Sequence, residues 1–429
     1  MGLALNRIGS ICLVMSLLCL GASAHAADEL LLLDLPGGQE LEVQRFAGSG
    51  KPLLLWLPSE RGLGKAHEMH ARDLARLGYE VWLADLHDAY FIERNRRSIA
   101  RFPLDDVVAI VDAATRASGT GVFLLSSSRG AQLSLVAARE WQQRNPGKTG
   151  LRGAFLAHAH LYLARPEAGE SAAYLPIVGA TNLPIYLIDA QYSTRSSRTG
   201  ELAAALGAGG SKVFVQVLEG LQGGFFARDD GELSALDQAA KGRYAVTIDR
   251  AIKLLSTVAT PTMAVATAVD TREFSRNPVR GSALEALTKP RPAPVLRLSD
   301  YQGNGYSLDQ QGGRVLLINF WASWCKPCVK EIPSLHRLRE NVGNQDFEIV
   351  TVNVGENRDR IAQFLERVPI ELPLLLDLDG AAAKEWKIYV YPSSYLVDHR
   401  GHIRYAYLGA LEWDSTENIT IIQNLLTQR

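Results

Sequence analysis

The residues best able to do chemistry in this sequence are two cysteines. Cys325 and Cys328, spaced Cys-x-x-Cys, follow directly on the run Val315-Leu316-Leu317-Ile318-Asn319-Phe320-Trp321-Ala322-Ser323-Trp324. The run reads as a buried strand and the residues after it as a helix. Cys325 then stands at a helix N-terminus, where unpaired N–H groups and the macrodipole stabilise a thiolate, a nucleophile near neutral pH. Cys325 is expected to be the more exposed, attacking sulfur. Cys328, one turn on, is expected to be the buried resolving sulfur that closes an intramolecular disulfide. Lys326 adds a nearby positive charge, and Pro327 suits a first helical turn because it has no N–H to leave unpaired.

A second candidate nucleophile ends another apolar strand. After Val122-Phe123-Leu124-Leu125 comes Ser126-Ser127-Ser128-Arg129-Gly130-Ala131, a tight strand-to-helix turn around Ser128 with small residues two before and two after it. The helix N-terminus can supply an oxyanion donor, and Pro58-Ser59-Glu60-Arg61-Gly62 occupies the place where the α/β-hydrolase fold, which this turn resembles, has its other donor. A serine hydroxyl is inert without a base, and no histidine occurs between His160 and His336. Asp189, at the end of its strand, is the candidate acid. His158 and His160 follow an earlier strand, out of order for a triad, and are expected to be hydrogen-bonded or solvated. His336, His399 and His402 share the C-terminal segment with the thiols, but His399-Arg400-Gly401-His402 reads as a solvated hairpin tip. Neither a metal nor another cofactor is expected.

The elements that must position these groups fall into two units. A chain of 429 residues that is 47% hydrophobic and 21% charged is of ordinary globular composition and long enough for two or more domains. A net charge of -1 without long charged blocks gives no footprint for nucleic acid or an anionic membrane surface. Arg7, an apolar stretch from about Ile11 to Leu20, and Ala24-His25-Ala26 read as a signal peptide over residues 1–26, cleaved after Ala26; the alternative is a retained anchor. Cys12 and Cys19 lie inside that signal, so the mature chain would keep one closely spaced pair, which points to a reactive rather than a scaffolding role and fits a bacterial periplasm.

Residues 28–257 alternate strand-like runs with helical patterns, beginning with a hairpin at Pro36-Gly37-Gly38, and predict a mostly parallel sheet covered by helices. Residues 258–292 fade into Thr, Ala, Pro and Arg and read as an extended linker. Residues 293–429 form the second unit, with strands at 315–324, 347–354, 394–397 and 403–408 and helices after Cys325 and at 358–368.

Asn319-Phe320-Trp321-Ala322-Ser323-Trp324-Cys325-Lys326-Pro327-Cys328, with Glu331-Ile332-Pro333 and Tyr391-Pro392-Ser393-Ser394-Tyr395-Leu396-Val397-Asp398, resembles the TlpA/ResA-like form of the thioredoxin fold. The resemblance covers residues 293–429. It implies a periplasmic thiol-disulfide oxidoreductase acting as a reductase of protein disulfides, apocytochrome c among them as in cytochrome c maturation, recharged by a membrane thiol carrier of the DsbD or CcdA kind. It further implies that Pro392 is cis beside the dithiol, that Glu331 is an acid near Cys328 moving the resolving thiol's proton, and that Trp324 and Tyr391 contact substrate.

Residues 28–257, with Ser128 at the elbow, resemble the α/β-hydrolase fold. The missing base implies a noncatalytic domain for binding or presentation. The fold class expected for the whole chain is therefore α/β, a hydrolase-like sheet followed by a thioredoxin-like fold. The alternatives are a serine esterase using Ser128 with a redox-sensing tail, and a nonenzymatic binding protein.

Overall fold

Short apolar runs alternating with amphipathic segments assemble into two eight-stranded sheets in this computed structural model, which describes residues 29–164, 166, 170–267, 270–275, 282–343 and 346–428. The expected signal at 1–26 lies outside the described residues. The first sheet comprises β1 (Glu29–Asp34), β2 (Glu40–Phe46), β3 (Leu53–Trp56), β4 (Glu80–Leu83), β5 (Val122–Ser127), β6 (Leu151–Ala157), β7 (Ile185–Tyr192) and β8 (Val213–Gln222). Its strand order is β1-β2-β4-β3-β5-β6-β7-β8. β1 and β2 form the expected hairpin, β2 meets β4 antiparallel, and every later pairing is parallel.

Strand periodicity divides the core of this sheet in two. Along β5, Val122 and Leu124 face the helices Leu104–Ala117 and Gly130–Arg144, whereas Phe123 and Leu125 face the helices Lys65–Arg76 and Tyr244–Leu255. Both faces are covered, which is why the central strands are apolar at every position rather than alternating.

The second sheet comprises β9 (Glu285–Pro292), β10 (Arg297–Asp300), β11 (Gly305–Ser307), β12 (Val315–Trp321), β13 (Phe347–Val354), β14 (Leu374–Asp377), β15 (Ser393–Val397) and β16 (His402–Leu408), in the order β11-β10-β14-β13-β12-β15-β16-β9. β12, β13 and β14 run parallel and the remaining pairs antiparallel. The helices Lys326–Val342 and Thr416–Thr427 cover one face, and Trp386 with Ala382 and Ala383 packs on the other.

The stretch expected as linker differs from its reading at both ends. Glu285–Pro292 is β9, paired antiparallel with β16. It lies at the sheet's edge, where Pro290 and Pro292 need no N–H for a further neighbour. Upstream, the chain lies against the first domain: Gly147 donates its N–H to Thr262 O at 2.8 Å, and Arg272 forks onto Glu140 at 3.1 and 3.0 Å.

The two domains dock through Arg198, whose side chain is 3% exposed. Its guanidinium lies 4.0 Å from the centre of the Tyr389 ring and donates to Ile388 O, Lys384 O and the Tyr389 hydroxyl at 3.3–3.4 Å. Tyr389 also accepts the N–H of Ala172 at 2.8 Å and packs edge-on to Tyr162. Arg360 stacks over Tyr192 at 4.1 Å, and Lys326 pairs with Glu232 at 2.7 Å.

Truncating Arg198 leaves those carbonyls short of a charged donor, so Arg198→Ala is expected to weaken docking by about 1–3 kcal/mol. Calorimetry should then show a lowered or split unfolding transition; a thermogram identical to the parent's would contradict the assignment.

Candidate active site

β12 delivers its last residues to the end of the sheet, and the chain turns there into the helix Lys326–Val342. Cys325 is that helix's N-cap: its Sγ accepts the N–H of Cys328 at 3.3 Å, and the two sulfurs are joined as a disulfide. Cys325 is 6% exposed and Cys328 1%, so the order is as expected, but Cys325 is itself buried. It belongs to an apolar cluster with Trp321, Ile332 and Phe364, against which Trp324 and Tyr391 pack. The latter two rings meet edge to face at 5.6 Å, and the Tyr391–Pro392 peptide is cis. Lys326 is turned outward to Glu232 of the other domain.

Beneath the disulfide, Glu331 is buried rather than solvated. It accepts from Asn319 Nδ2 at 2.8 Å, from Leu411 N–H at 3.2 Å and from Trp413 Nε1 at 3.1 Å. Burial raises its pKa to about 7 in spite of these three donors, which favour the charged form. Desolvation is the main cause.

The loop before Cys325 is held by Glu356, which accepts from Ser323 N–H at 2.6 Å, Ser323 Oγ at 2.5 Å, Asn353 Nδ2 at 2.8 Å and Arg360 Nε at 2.6 Å. No spacing in the sequence marks Glu356. His399 lies in the turn before β16 and His402 opens that strand, with its Nδ1 3.8 Å from Asp398. Among the described residues no group of three or more potential ligands is placed to hold a metal.

The second constellation is built at the end of β5. Ser128 has φ +49°, a left-handed conformation rare for serine, in the turn into the helix Gly130–Arg144. A Cβ at Gly130 would stand 2.5 Å from Pro58 O, so the close crossing of the two loops requires glycine there. Ser128 Oγ donates to Glu60 Oε1 at 2.9 Å, and Arg129 N–H donates to Glu60 Oε2 at 3.2 Å. The loop expected to contribute an oxyanion donor thus places a carboxylate at the elbow's own donors.

Asp189 has the histidine partner that chain order did not suggest. His158 Nδ1 lies 2.6 Å from Asp189 Oδ1, and its Nε2 accepts the N–H of Gly224 at 3.0 Å, which puts the proton on Nδ1. Burial pushes the Asp189 carboxyl up, but the His158 contact and the Ser193 hydroxyl outweigh it and hold the group below its usual range. Both nitrogens of His158 are therefore occupied, and neither is bonded to Ser128. Ser128, Arg129 and His158 share one cavity of about 900 Å³ with Trp324, Tyr389 and Tyr391 of the redox domain.

Residues 290–406 match the AhpC/TSA family model. Among curated relatives, the thiol-disulfide oxidoreductase ResA of Geobacillus kaustophilus is 30% identical over 125 residues, which are 29% of this chain and 72% of the relative. The sporulation thiol-disulfide oxidoreductase A of Bacillus subtilis is 28% identical over 134 residues, 30% of this chain and 81% of the relative. Among solved structures, StoA of Bacillus subtilis is 27% identical, covering 30% of this chain and 98% of its own with a TM-score of 0.28.

The raised pKa of Glu331 makes stability depend on pH. A folded pKa of about 7, above the ordinary 4.5, means that the native state holds a proton the unfolded chain releases. This contribution is present below the unfolded value and is lost as pH rises towards about 7. Between about pH 5 and 8 the oxidised protein should lose roughly 2–3 kcal/mol more stability than Glu331→Gln in urea titrations. Parallel losses in the two proteins would refute this.

Proposed function

Since the chain belongs, through its C-terminal domain, to the ResA-like thiol-disulfide oxidoreductases, we propose that it is a periplasmic reductase of protein disulfides working through Cys325 and Cys328. The observation that carries the reading is the position of Cys325 Sγ as a helix N-cap accepting Cys328 N–H, an arrangement that also favours the thiolate once the disulfide opens.

In the reduced protein the Cys325 thiolate attacks one sulfur of a substrate disulfide. A mixed disulfide forms and one substrate thiolate leaves, taking a proton. Cys328 then gives up its proton and attacks Cys325 Sγ, forming the intramolecular disulfide and releasing the second substrate thiol. Two electrons pass to the substrate, and a membrane dithiol carrier of the DsbD or CcdA kind returns them. Apocytochrome c is a candidate substrate.

Glu331, buried three residues after Cys328 and titrating near neutrality, is suited to take and return the Cys328 proton. Trp324 and Tyr391, with Pro392, form the wall a substrate would meet. We assign 28–257 as a hydrolase-like domain for binding rather than turnover. The strand order and the left-handed Ser128 support the first half of that assignment; the carboxylate of Glu60 at the elbow and the occupied nitrogens of His158 support the second.

Cys325→Ala is expected to abolish disulfide reduction, whereas Cys328→Ala should accumulate mixed disulfides recoverable under nonreducing conditions. The reduction potential of the pair, equilibrated against dithiothreitol, should be about -270 mV or lower; a value near -120 mV would make the protein an oxidant. Hydrolysis of an activated ester is expected to be the same in the parent and in Ser128→Ala, and a loss in the variant would restore the esterase reading.

A further inference from the structure

The cavity shared by the two domains has an electrostatic character at odds with the rest of the chain. The whole sequence has a net charge of -1, yet among the described residues the cavity is lined by five arginines and two lysines against two carboxylates, Glu60 and Asp229. Three of these guanidiniums, on Arg96, Arg129 and Arg195, lie close enough together to bear on His160, depressing its pKa beyond the effect of burial. Arg129, largely buried among them, has its own pKa lowered to about 10, first by burial and then by Arg195 and Arg96 against Glu60. Low-dielectric walls around like charges focus the field on whatever enters.

Hydrogen-bond donors in the same cavity point to the same kind of guest. His67 Nδ1 accepts the N–H of Gly64 at 3.1 Å, so the proton of this neutral ring is on Nε2. His67 and Trp324 both line the cavity, and that Nε2–H and the indole N–H of Trp324 are buried without a partner among the described residues. His67 is 7% exposed, and a buried donor left unmet requires an acceptor. Of the two carboxylates described in the cavity, that of Glu60 is already held by Ser128 Oγ and Arg129 N–H.

We propose that this cleft binds a carboxylate-rich segment of the polypeptide whose disulfide the dithiol reduces, its acidic side chains facing the cations of the first domain and its disulfide lying at Trp324 and Tyr391. The proposal rests on the reductase reading above. A polypeptide is favoured over a small acid because the cations are spread from the Glu60 loop to Arg228, Lys241 beyond it being paired with Asp230 at 2.7 Å, while the wall nearest the dithiol is aromatic. Acidic flanks and a disulfide on one extended segment meet both requirements. The first domain then selects substrates by charge for chemistry that takes place on the second.

The test uses prereduced full-length protein in excess over substrate, so that each disulfide is reduced in a single turnover. Three cyclic disulfide peptides of one length, with Glu, Gln or Lys flanks, are compared with hydroxyethyl disulfide and glutathione disulfide. The Glu peptide is expected to react about tenfold faster than the Lys peptide, the preference fading by about 0.5 M salt. In the double variant Arg61→Glu and Lys65→Glu, both at exposed positions, the Glu-to-Lys rate ratio should fall towards one.

Equal rates for the three peptides, with hydroxyethyl disulfide still reduced, would overturn the proposal and leave the reductase reading intact. A charge preference confined to glutathione disulfide would overturn it in favour of a small acidic substrate. Failure to reduce any of the five would remove the reductase reading itself. The salt titration needs only the parent protein, so a variant that folds poorly does not blunt the test.

Discussion

The guanidinium of Arg198 ties the two domains together. It is buried, it faces the Tyr389 ring, and three of its contacts end on the segment immediately before Tyr391 and Pro392. A guanidinium removed from water must have its donors satisfied, so it holds the first domain in register with the loop beside the dithiol. From that register follow the stacking of Arg360 on Tyr192 and the ion pair of Lys326 with Glu232. The latter is between exposed groups and adds little by itself. Glu356 continues the chain of contacts inward, since it bonds Arg360 on one side and Ser323, two residues before Cys325, on the other.

Both domains place their most reactive group at the same architectural point, where a central strand turns into a helix. The outcomes differ because of what meets the helix N-terminus. At Cys325 the N–H of Cys328 is directed to sulfur, and among the described residues nothing else competes for that sulfur except its own disulfide partner. At Ser128 the corresponding donors are taken by Glu60, and the histidine that might have served as base is bonded to Asp189 and Gly224. A negative charge at the oxyanion position opposes the charge that acyl transfer would develop there.

Much of this was legible in the sequence because the signals were local. The apolar run ending in Cys325 specifies a fully buried strand and a helix cap within fourteen residues. The central strands of both sheets stand out as β-rich runs bounded by turn residues. What escaped depends on tertiary context. Glu285–Pro292 carries two prolines and reads as linker until an edge position makes their missing donors harmless. β14 is only four residues, too short for its period to distinguish it from a loop. The pairing of His158 with Asp189 joins the ends of β6 and β7, a contact no spacing rule predicts. Glu60, Arg198 and Glu356 look like ordinary surface charges in the sequence; only packing makes them otherwise.

Glu331 illustrates how competing magnitudes set a group's chemistry. Its three hydrogen-bond donors all stabilise the carboxylate, and each alone would lower the pKa. Removal from water acts the other way and is larger, leaving the group near 7 rather than fully ionised or fully neutral. Were Trp413 or Asn319 apolar, the pKa would move further up; were the site open to solvent, the carboxyl would return towards its ordinary range. A carboxyl balanced in this way can hold or release a proton near neutral pH without a strong preference for either state. The polar shell around Glu331 is drawn from two segments far apart in the chain, β12 and the loop at 411–413, which meet at the helix that carries the acid.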